Sequence, residues 1–379
     1  MKKLIIGITA EGSVNLLLGQ LQYFHEQGYQ TYLMGPLSER SAAFCRNENC
    51  EHLIIDIERE ISPVRDLKTL WTIIKIFKKV RPDIINLGTP KISLLGMIAG
   101  VYVGVKKRIY TCRGFRFEHE SGVKRRILIA MEQITAWCAH EVICISPSVK
   151  ALGIKHGIFK DEKATVINKG SSNGVNLDLF DPNDGTLLAD KGKLIERYNL
   201  SNKFVFSFVG RIVDRKGINE LIETFIRFQQ IYQNAVLILV GPFEMDQIAD
   251  KNLVNKINQH SHIINVGRVT QKEVPLYLSI SNVFVLPAWW EGFGNVLVQA
   301  AAMGIPTIST TGTGTCDAVS HGFNGFLVEP KSENQLFDAM DRLYSNKELA
   351  EQFGVNGLAW AQNFDEELIW SNMDLIYNS

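Results

Sequence analysis

Residues 283–306 read VFVLPAWWEGFGNVLVQAAAMGIP, and the punctuation of this stretch decides the fold. The apolar run 283–286 has the length of a buried strand, and Pro287, which lacks a backbone donor, ends it. Two tryptophans and then Glu291-Gly292-Phe293-Gly294-Asn295 form a loop. From 296 to 303 the chain is apolar almost all round, which predicts a helix enclosed in a core. Gly304 is placed to close that helix in the left-handed conformation, and Ile305-Pro306 opens the next extended segment. Strand, glycine loop, helix, strand is half of a doubly wound parallel sheet.

The loop also has a chemistry. Gly292 and Gly294 let the backbone approach a ligand closely, and the first free N–H groups of the helix offer partial positive charge to the same space. Glu291 adds a carboxylate, which repels phosphate but accepts hydrogen bonds from hydroxyls. Donors beside a carboxylate suit a ligand that carries both phosphate and sugar. Gln299, eight positions on, offers an amide and a carbonyl from the helix.

The chain around this stretch has 379 residues, enough for two cores. With 46% hydrophobic and 21% charged residues its composition is that of a soluble globular protein. A formal net charge of +0 gives a nucleic-acid partner no bulk electrostatic support. Cysteines 45, 50, 112, 138, 144 and 316 show neither CxxC spacing nor a histidine pattern, so we expect no zinc site, no disulfide framework and a reducing, cytoplasmic setting. MKKLIIGITAEG has too short an apolar run for a signal peptide and reads as a first strand. The longest apolar stretch, 92–105, is too short to span a bilayer.

Taken in order, strands are expected at 4–9, 30–34, 54–57, 84–87, 109–111 and 142–145, with helices at 15–27, 67–80 and 127–137. The alternation argues for a parallel α/β domain, and its first turn lacks GxGxxG, against a dinucleotide cofactor. Gly12, in that turn, either gives backbone room near a phosphate or acceptor or is an ordinary turn glycine. Segment 106–126 (KKRIYTCRGFRFEHESGVKRR) is strongly basic; it suits anionic lipid head groups or a diphosphate, and equally a solvated basic face. Residues 181–200 begin with a turn-rich Asp-Pro-Asn-Asp-Gly and read as a linker. A second domain opens with strand 203–209 and the loop GRIVDRKG, 210–217, before an amphipathic helix, 218–229. Arg211 and Lys216 sit at a strand end and a helix start, where both can converge on a diphosphate. Strands at 236–240, 263–266 and 307–310, a short helix at 272–280, a flexible loop at 311–317, and helices at 333–345, 347–362 and 366–377 complete the reading.

These motifs resemble the retaining glycosyltransferases of family 4, over nearly the whole chain and most densely between 166 and 330. Glu291 with Gln299 matches the family's two glutamates with seven residues between them, with Gln in the second place. Residues 210–217 match its Gly-Arg, four residues, Lys-Gly loop. Residues 110–114 look like its Thr-x-His-Gly loop, with Arg113 where many members have His. Residues 267–269 resemble the loop that holds the nucleobase, residues 173–180 the family's Asn-Gly-Val junction, and residues 321–328 its Asn-Gly turn.

The resemblance implies a GT-B architecture: two Rossmann-like, doubly wound α/β domains facing across a cleft. An acceptor domain would span 1–180, a linker 181–200 and a nucleotide-sugar domain 201–362, with a final helix in 363–379 packing back on the first domain. It implies catalytic roles for Glu291, Arg211, Lys216 and Arg113. Donor binding would fall to Gly210, Arg268, Val269, Phe293, Gly294, Asn295 and Gln299, and acceptor contacts to Gly12, Arg116 and Glu118. The expected substrates are a UDP-hexose or UDP-N-acetylhexosamine and a lipid-linked saccharide of bacterial surface polysaccharide, handled at the inner face of the membrane. No Asp-x-Asp metal motif occurs, so neither metal nor other cofactor is expected. The substitutions at Gln299 and Arg113 keep a non-catalytic GT-B subunit open as an alternative, and a GT-B sugar-nucleotide epimerase is another.

Overall fold

The computed structural model describes residues 1–58, 60 and 62–379. The chain forms two compact units, one made of Met1–Gly174 together with Glu367–Ser379, the other of Val175–Glu366.

The first unit holds a seven-stranded parallel sheet: β1 (Lys3–Gly7), β2 (Gln30–Gly35), β3 (Glu51–Ile54), β4 (Ile84–Leu87), β5 (Lys107–Cys112), β6 (Glu141–Cys144) and β7 (Ala164–Val166). The order is β3-β2-β1-β4-β5-β6-β7. β1 shows why an apolar run suits such a sheet. Its Ile5 enters one core with Ile73, Phe77, Ile85 and Met97, while Leu4 and Ile6 enter a second core with Leu21 and Phe24 on the opposite face. Ile369, Trp370, Met373 and Tyr377 of the last helix, Glu366–Asn378, belong to that second core. Asn86 Nδ2 donates to Tyr377 Oη at 2.6 Å, and Trp370 Nε1 to Asn173 Oδ1 at 2.9 Å, so the helix is tied by polar contacts as well.

Three expectations need correction here. The third strand runs 51–54 rather than 54–57. It is a half-exposed edge, and the buried Ile55 and Ile57 that suggested a strand enter the core from the segment after it. The helix expected at 15–27 is a 3₁₀ turn, Glu11–Leu16, followed by a separate helix, Gln20–Glu26. Gly19 breaks it at φ +77°, and the Glu48 carboxylate accepts from the N–H groups of Gly19 and Gln22 at 2.7 and 3.2 Å. Finally, 181–200 is not a bare connector. Asp184 Oδ1 accepts from the N–H groups of Thr186 and Leu187 at 2.7 and 2.9 Å and so caps helix Gly185–Arg197.

The second unit holds six parallel strands: β8 (Phe204–Val209), β9 (Ala235–Val240), β10 (Ile263–Gly267), β11 (Val283–Val285), β12 (Thr307–Thr310) and β13 (Gly325–Val328). Their order is β10-β9-β8-β11-β12-β13. Helix Ile218–Ile231 buries Ile218, Leu221, Ile222, Phe225 and Phe228, the single stripe its spacing predicts. Loop 311–317, expected to be flexible, is pinned instead. Thr315 Oγ1 donates to the carbonyls of Thr310 and Gly312 at 3.1 and 2.8 Å, and a short helix, Thr315–Ala318, follows. Both chain crossings between the units lie side by side: Val175 N donates to Phe364 O at 2.7 Å, and Glu366 N to Val175 O at 3.2 Å. No helix among the described residues is long and apolar enough to cross a membrane.

Candidate nucleotide-sugar site

In the second sheet the winding direction reverses between β8 and β11, and the loops after those two strands must part there. The loop after β8 carries 210–217, and the loop after β11 carries 287–294. Glycines let the two meet. Gly217 has φ +70°, and a Cβ on it would lie 2.0 Å from the Pro287 carbonyl oxygen. Trp289 N donates to Arg215 O at 2.8 Å, which joins the loops by backbone. On the other side Glu291 N donates to Thr313 O at 3.0 Å, and a Cβ on Gly314 would lie 2.3 Å from Glu291 O. Glu291 is therefore positioned by backbone from two neighbouring loops.

Its carboxylate is the centre of a charge cluster. Lys216 Nζ lies 2.8 Å and Arg215 Nη1 3.3 Å from the same oxygen, Oε1. The three side chains are only 12%, 24% and 15% exposed for Lys216, Arg215 and Glu291. Burial pushes the Glu291 carboxyl up, but Lys216 and then Arg215 outweigh it and hold the group below its ordinary value. Glu291 is ionised at neutral pH. Gly210, at φ +149°, leaves room for the lysine: a Cβ there would meet Lys216 Nζ at 3.1 Å.

The structure brings Glu291, Lys216 and Gly210 together and does not bring Arg211 to them. Arg211 Nη1 lies 2.7 Å from Glu244 Oε2, which also accepts from Gln247 Nε2 at 2.6 Å. The cause is local. Ile212 is buried and bridges to Phe243, which turns its predecessor towards the loop after β9. Arg215 stands beside Glu291 instead, and sequence reasoning missed it. The only signal was its place next to Lys216 in a loop with three cations.

Gly294, at φ +83°, starts helix Asn295–Ala302, with Asn295 as its first residue and Gln299, half-buried, as its fifth. Phe293 is buried against Phe364 at 5.2 Å between ring centres, so it anchors the loop. Trp289 Nε1 donates to Glu220 Oε1 at 2.8 Å, and Lys331 Nζ sits 3.8 Å from the centre of the Trp289 ring. Arg268 is exposed and Val269 half-buried just past Gly267, whose carbonyl accepts from Gly241 N at 2.8 Å.

In the first unit, Arg113 follows β5. Its Nη1 donates to Ser172 Oγ, and its Nε lies where a Cβ on Gly88, after β4, would come within 2.7 Å. Burial lowers this guanidinium to about 10, so it remains a cation at neutral pH. Gly12 lies in the 3₁₀ turn after β1, and a Cβ there would meet no protein atom within 4 Å. Arg116 is exposed; Glu118 is half-buried, 3.9 Å from His119 Nε2.

Comparison with known proteins agrees with this fold. A profile described as "Glycosyl transferases group 1" matches residues 190–360, and one described as "Glycosyltransferase Family 4" matches residues 10–179. The capsular polysaccharide biosynthesis glycosyltransferase CapM of Staphylococcus aureus is 33% identical over 375 residues, 98% of this chain and 96% of CapM. The UDP-Gal:alpha-D-GlcNAc-diphosphoundecaprenol alpha-1,3-galactosyltransferase of Escherichia coli is 29% identical over 77% of this chain and 74% of its own length. Anabaena Alr3699/HepE, solved in complex with UDP, superposes with a TM-score of 0.82 at 19% identity, covering 100% of both chains. Two doubly wound parallel sheets, the second with a charge cluster at its switch point, define a GT-B protein. Its sequence places the chain among the family 4 glycosyltransferases.

Proposed function

We propose that the chain is a retaining, metal-independent glycosyltransferase that moves a hexosyl or N-acetylhexosaminyl group from UDP to a lipid-linked saccharide, in bacterial capsule or related surface-polysaccharide synthesis. The observation that carries this reading is the Lys216–Glu291–Arg215 cluster at the β8/β11 switch point. Both cation contacts fall on Oε1, which leaves Oε2 to accept from sugar hydroxyls. As the C1–O bond to the diphosphate breaks, the acceptor hydroxyl oxygen bonds C1 and its proton passes to the departing diphosphate oxygen; negative charge grows on that leaving group. Lys216, Arg215 and the first N–H groups of helix Asn295–Ala302 offset it. The Gln299 amide is offered to the ribose, and Arg113 to an acceptor phosphate. Two relatives support the choice of substrates: the E. coli enzyme is named for a UDP-galactose donor and a diphosphoundecaprenol acceptor, and the Anabaena protein binds UDP. The reaction would take place on the cytoplasmic side, where nucleotide sugars are made.

The test is turnover of UDP-glucose, UDP-galactose and UDP-N-acetylglucosamine with an undecaprenyl-diphosphate-linked acceptor, with and without EDTA. Lys216→Ala and Glu291→Ala should each lower kcat by roughly 100-fold or more, and the product should keep the donor's anomeric configuration by NMR. Full turnover in both variants, or an inverted product, overturns the reading.

A further inference from the structure

Helix Glu39–Asn47 ends in a tight turn that returns the chain to β3. Glu48 N donates to Phe44 O at 2.9 Å, Asn49 takes φ +54°, and Cys50 N donates to Cys45 O at 3.0 Å. A left-handed residue followed by a bond that reaches back across the turn is the Schellman ending of a helix, and it sets the side chains of the two bonded residues against each other. Apolar side chains frequently make that contact. Here both are thiols: Cys45 and Cys50 are hydrogen-bonded through their side chains, and both are free cysteines.

We propose that Cys45 and Cys50 are a reversible oxidation site, at which a hydroperoxide converts the two thiols into a disulfide and so locks the turn between them. The inference is independent of the sugar-transfer reading.

Reach and access both favour this pair. A disulfide needs Cα atoms about 4.4–6.8 Å apart. A backbone bond between the two residues themselves, with the thiols already in contact, suits that span. Cys112 and Cys144 are register partners on β5 and β6, and their thiols are hydrogen-bonded too, but both are 0% exposed. Cys45 is 7% exposed, and Cys50 is half-buried among exposed Arg46, Asn47, Asn49 and Glu51. A small oxidant therefore meets the turn before it meets the sheet.

The chemistry balances with one peroxide. The first thiolate attacks a peroxide oxygen, the O–O bond breaks and the sulfur becomes a sulfenic acid. The departing oxygen takes the proton that thiol gave up and leaves as water or alcohol. The second sulfur then attacks the first, the S–O bond breaks, and the hydroxyl leaves as water with the second thiol's proton. A dithiol reductant reverses the change by exchange.

The ring that closes contains Glu48, whose buried carboxylate works outside it. It accepts from Gly19 N at 2.7 Å and Gln22 N at 3.2 Å, at the start of helix Gln20–Glu26. Opening of the turn releases those bonds, and a crosslink across it removes much of the open state's conformational freedom. The disulfide therefore steadies a second helix through Glu48.

The test is hydrogen peroxide treatment of the native full chain, alkylation of the remaining thiols after unfolding, and tryptic mapping. Trypsin cuts after Arg46, between the two cysteines, so the disulfide joins peptides 41–46 and 47–59. That link should form before Cys112 and Cys144 react, and dithiothreitol should remove it. In the oxidised protein the Gly19 and Gln22 amides should exchange with deuterium about tenfold more slowly than in the reduced one. Cys50→Ser should melt like wild type, form no link and show no slowing. Both thiols left intact, Cys50 carried on to a sulfinic acid, or a Cys112–Cys144 link formed equally fast each overturns the site. Exchange unchanged by oxidation, or slowed equally in Cys50→Ser, overturns the locking of the turn. None of these results bears on sugar transfer.

Discussion

Replacing Lys216 by methionine tests the electrostatic core of the site. The amine is 2.8 Å from Glu291 Oε1, and the two side chains are 12% and 15% exposed. A solvent-exposed pair would contribute about 0–1 kcal/mol, while removing one partner of a buried pair costs ~3–5 kcal/mol. Burial places this pair near the second range. Arg215, 3.3 Å from the same oxygen, takes up part of the orphaned charge, so we expect a coupling of about 2–3 kcal/mol. The assay is a double-mutant cycle with Glu291→Gln, read by denaturant unfolding. The sign of its pH dependence follows from the carboxyl's lowered value. A depressed folded-state pKa stabilises the fold above the unfolded value and loses that contribution as pH falls through the folded one. The coupling should therefore be full at pH 7 and fade below about pH 4. A coupling under ~0.5 kcal/mol at pH 7 would place the pair in the exposed class and refute the reasoning.

Other outcomes follow from neighbouring features. Gly217→Ala should lower the melting temperature and turnover together, at a cost of roughly 1–3 kcal/mol, because a Cβ at φ +70° would lie 2.0 Å from Pro287 O; an unchanged melt would show that the loops separate freely. Arg215→Met should lower kcat/KM less than Lys216→Met does, by about tenfold, since Arg215 is the more distant and more exposed of the two cations; steady-state kinetics decide. Gln299→Glu should tighten UDP-sugar binding by a few-fold, because a carboxylate is the stronger acceptor for ribose hydroxyls; calorimetry measures it, and weaker binding removes Gln299 from the ribose. Burial pushes the Glu132 carboxyl up to about 7. A raised folded-state value stabilises the protein fully at low pH and loses that contribution as pH rises through it. Glu132→Gln should therefore flatten the melting temperature between pH 5 and 8 and be worth ~3 kcal/mol at the alkaline end; a wild type already flat over that range would contradict it.

Most of the second unit is legible from its letters because its elements are local. Apolar runs such as 235–240, the glycines that follow β8 and β9 and the one that ends β10 carry strand and turn in the same few residues. That Glu291 and Lys216 meet is legible too, since each sits in the glycine-bearing loop after one of two neighbouring strands of the doubly wound sheet. Arg215 is not, because its partner lies 76 positions away and is fixed by the Trp289 to Arg215 backbone bond. Arg211 misleads for the converse reason: Ile212, beside it, is pinned to Phe243, and that contact sets the arginine's direction. The break at Gly19 is equally non-local. It depends on Glu48, 29 positions on, and on the Trp370 ring, which a Cβ on Gly19 would meet at 2.6 Å. Helical spacing from 127 to 137 is readable, but the start of that helix at Gly122 is not, because 122–126 carry glycine and three cations.

The last helix carries a lesson about biosynthesis. Leu21 and Phe24 share their core with Ile369, Trp370 and Tyr377, so the ribosome releases the first half of that core more than three hundred residues before its lid. Through the whole translation of the second unit, the nascent first unit keeps a greasy face that helix Glu366–Asn378 has yet to cover, and a stop codon placed just before that helix would strand it open.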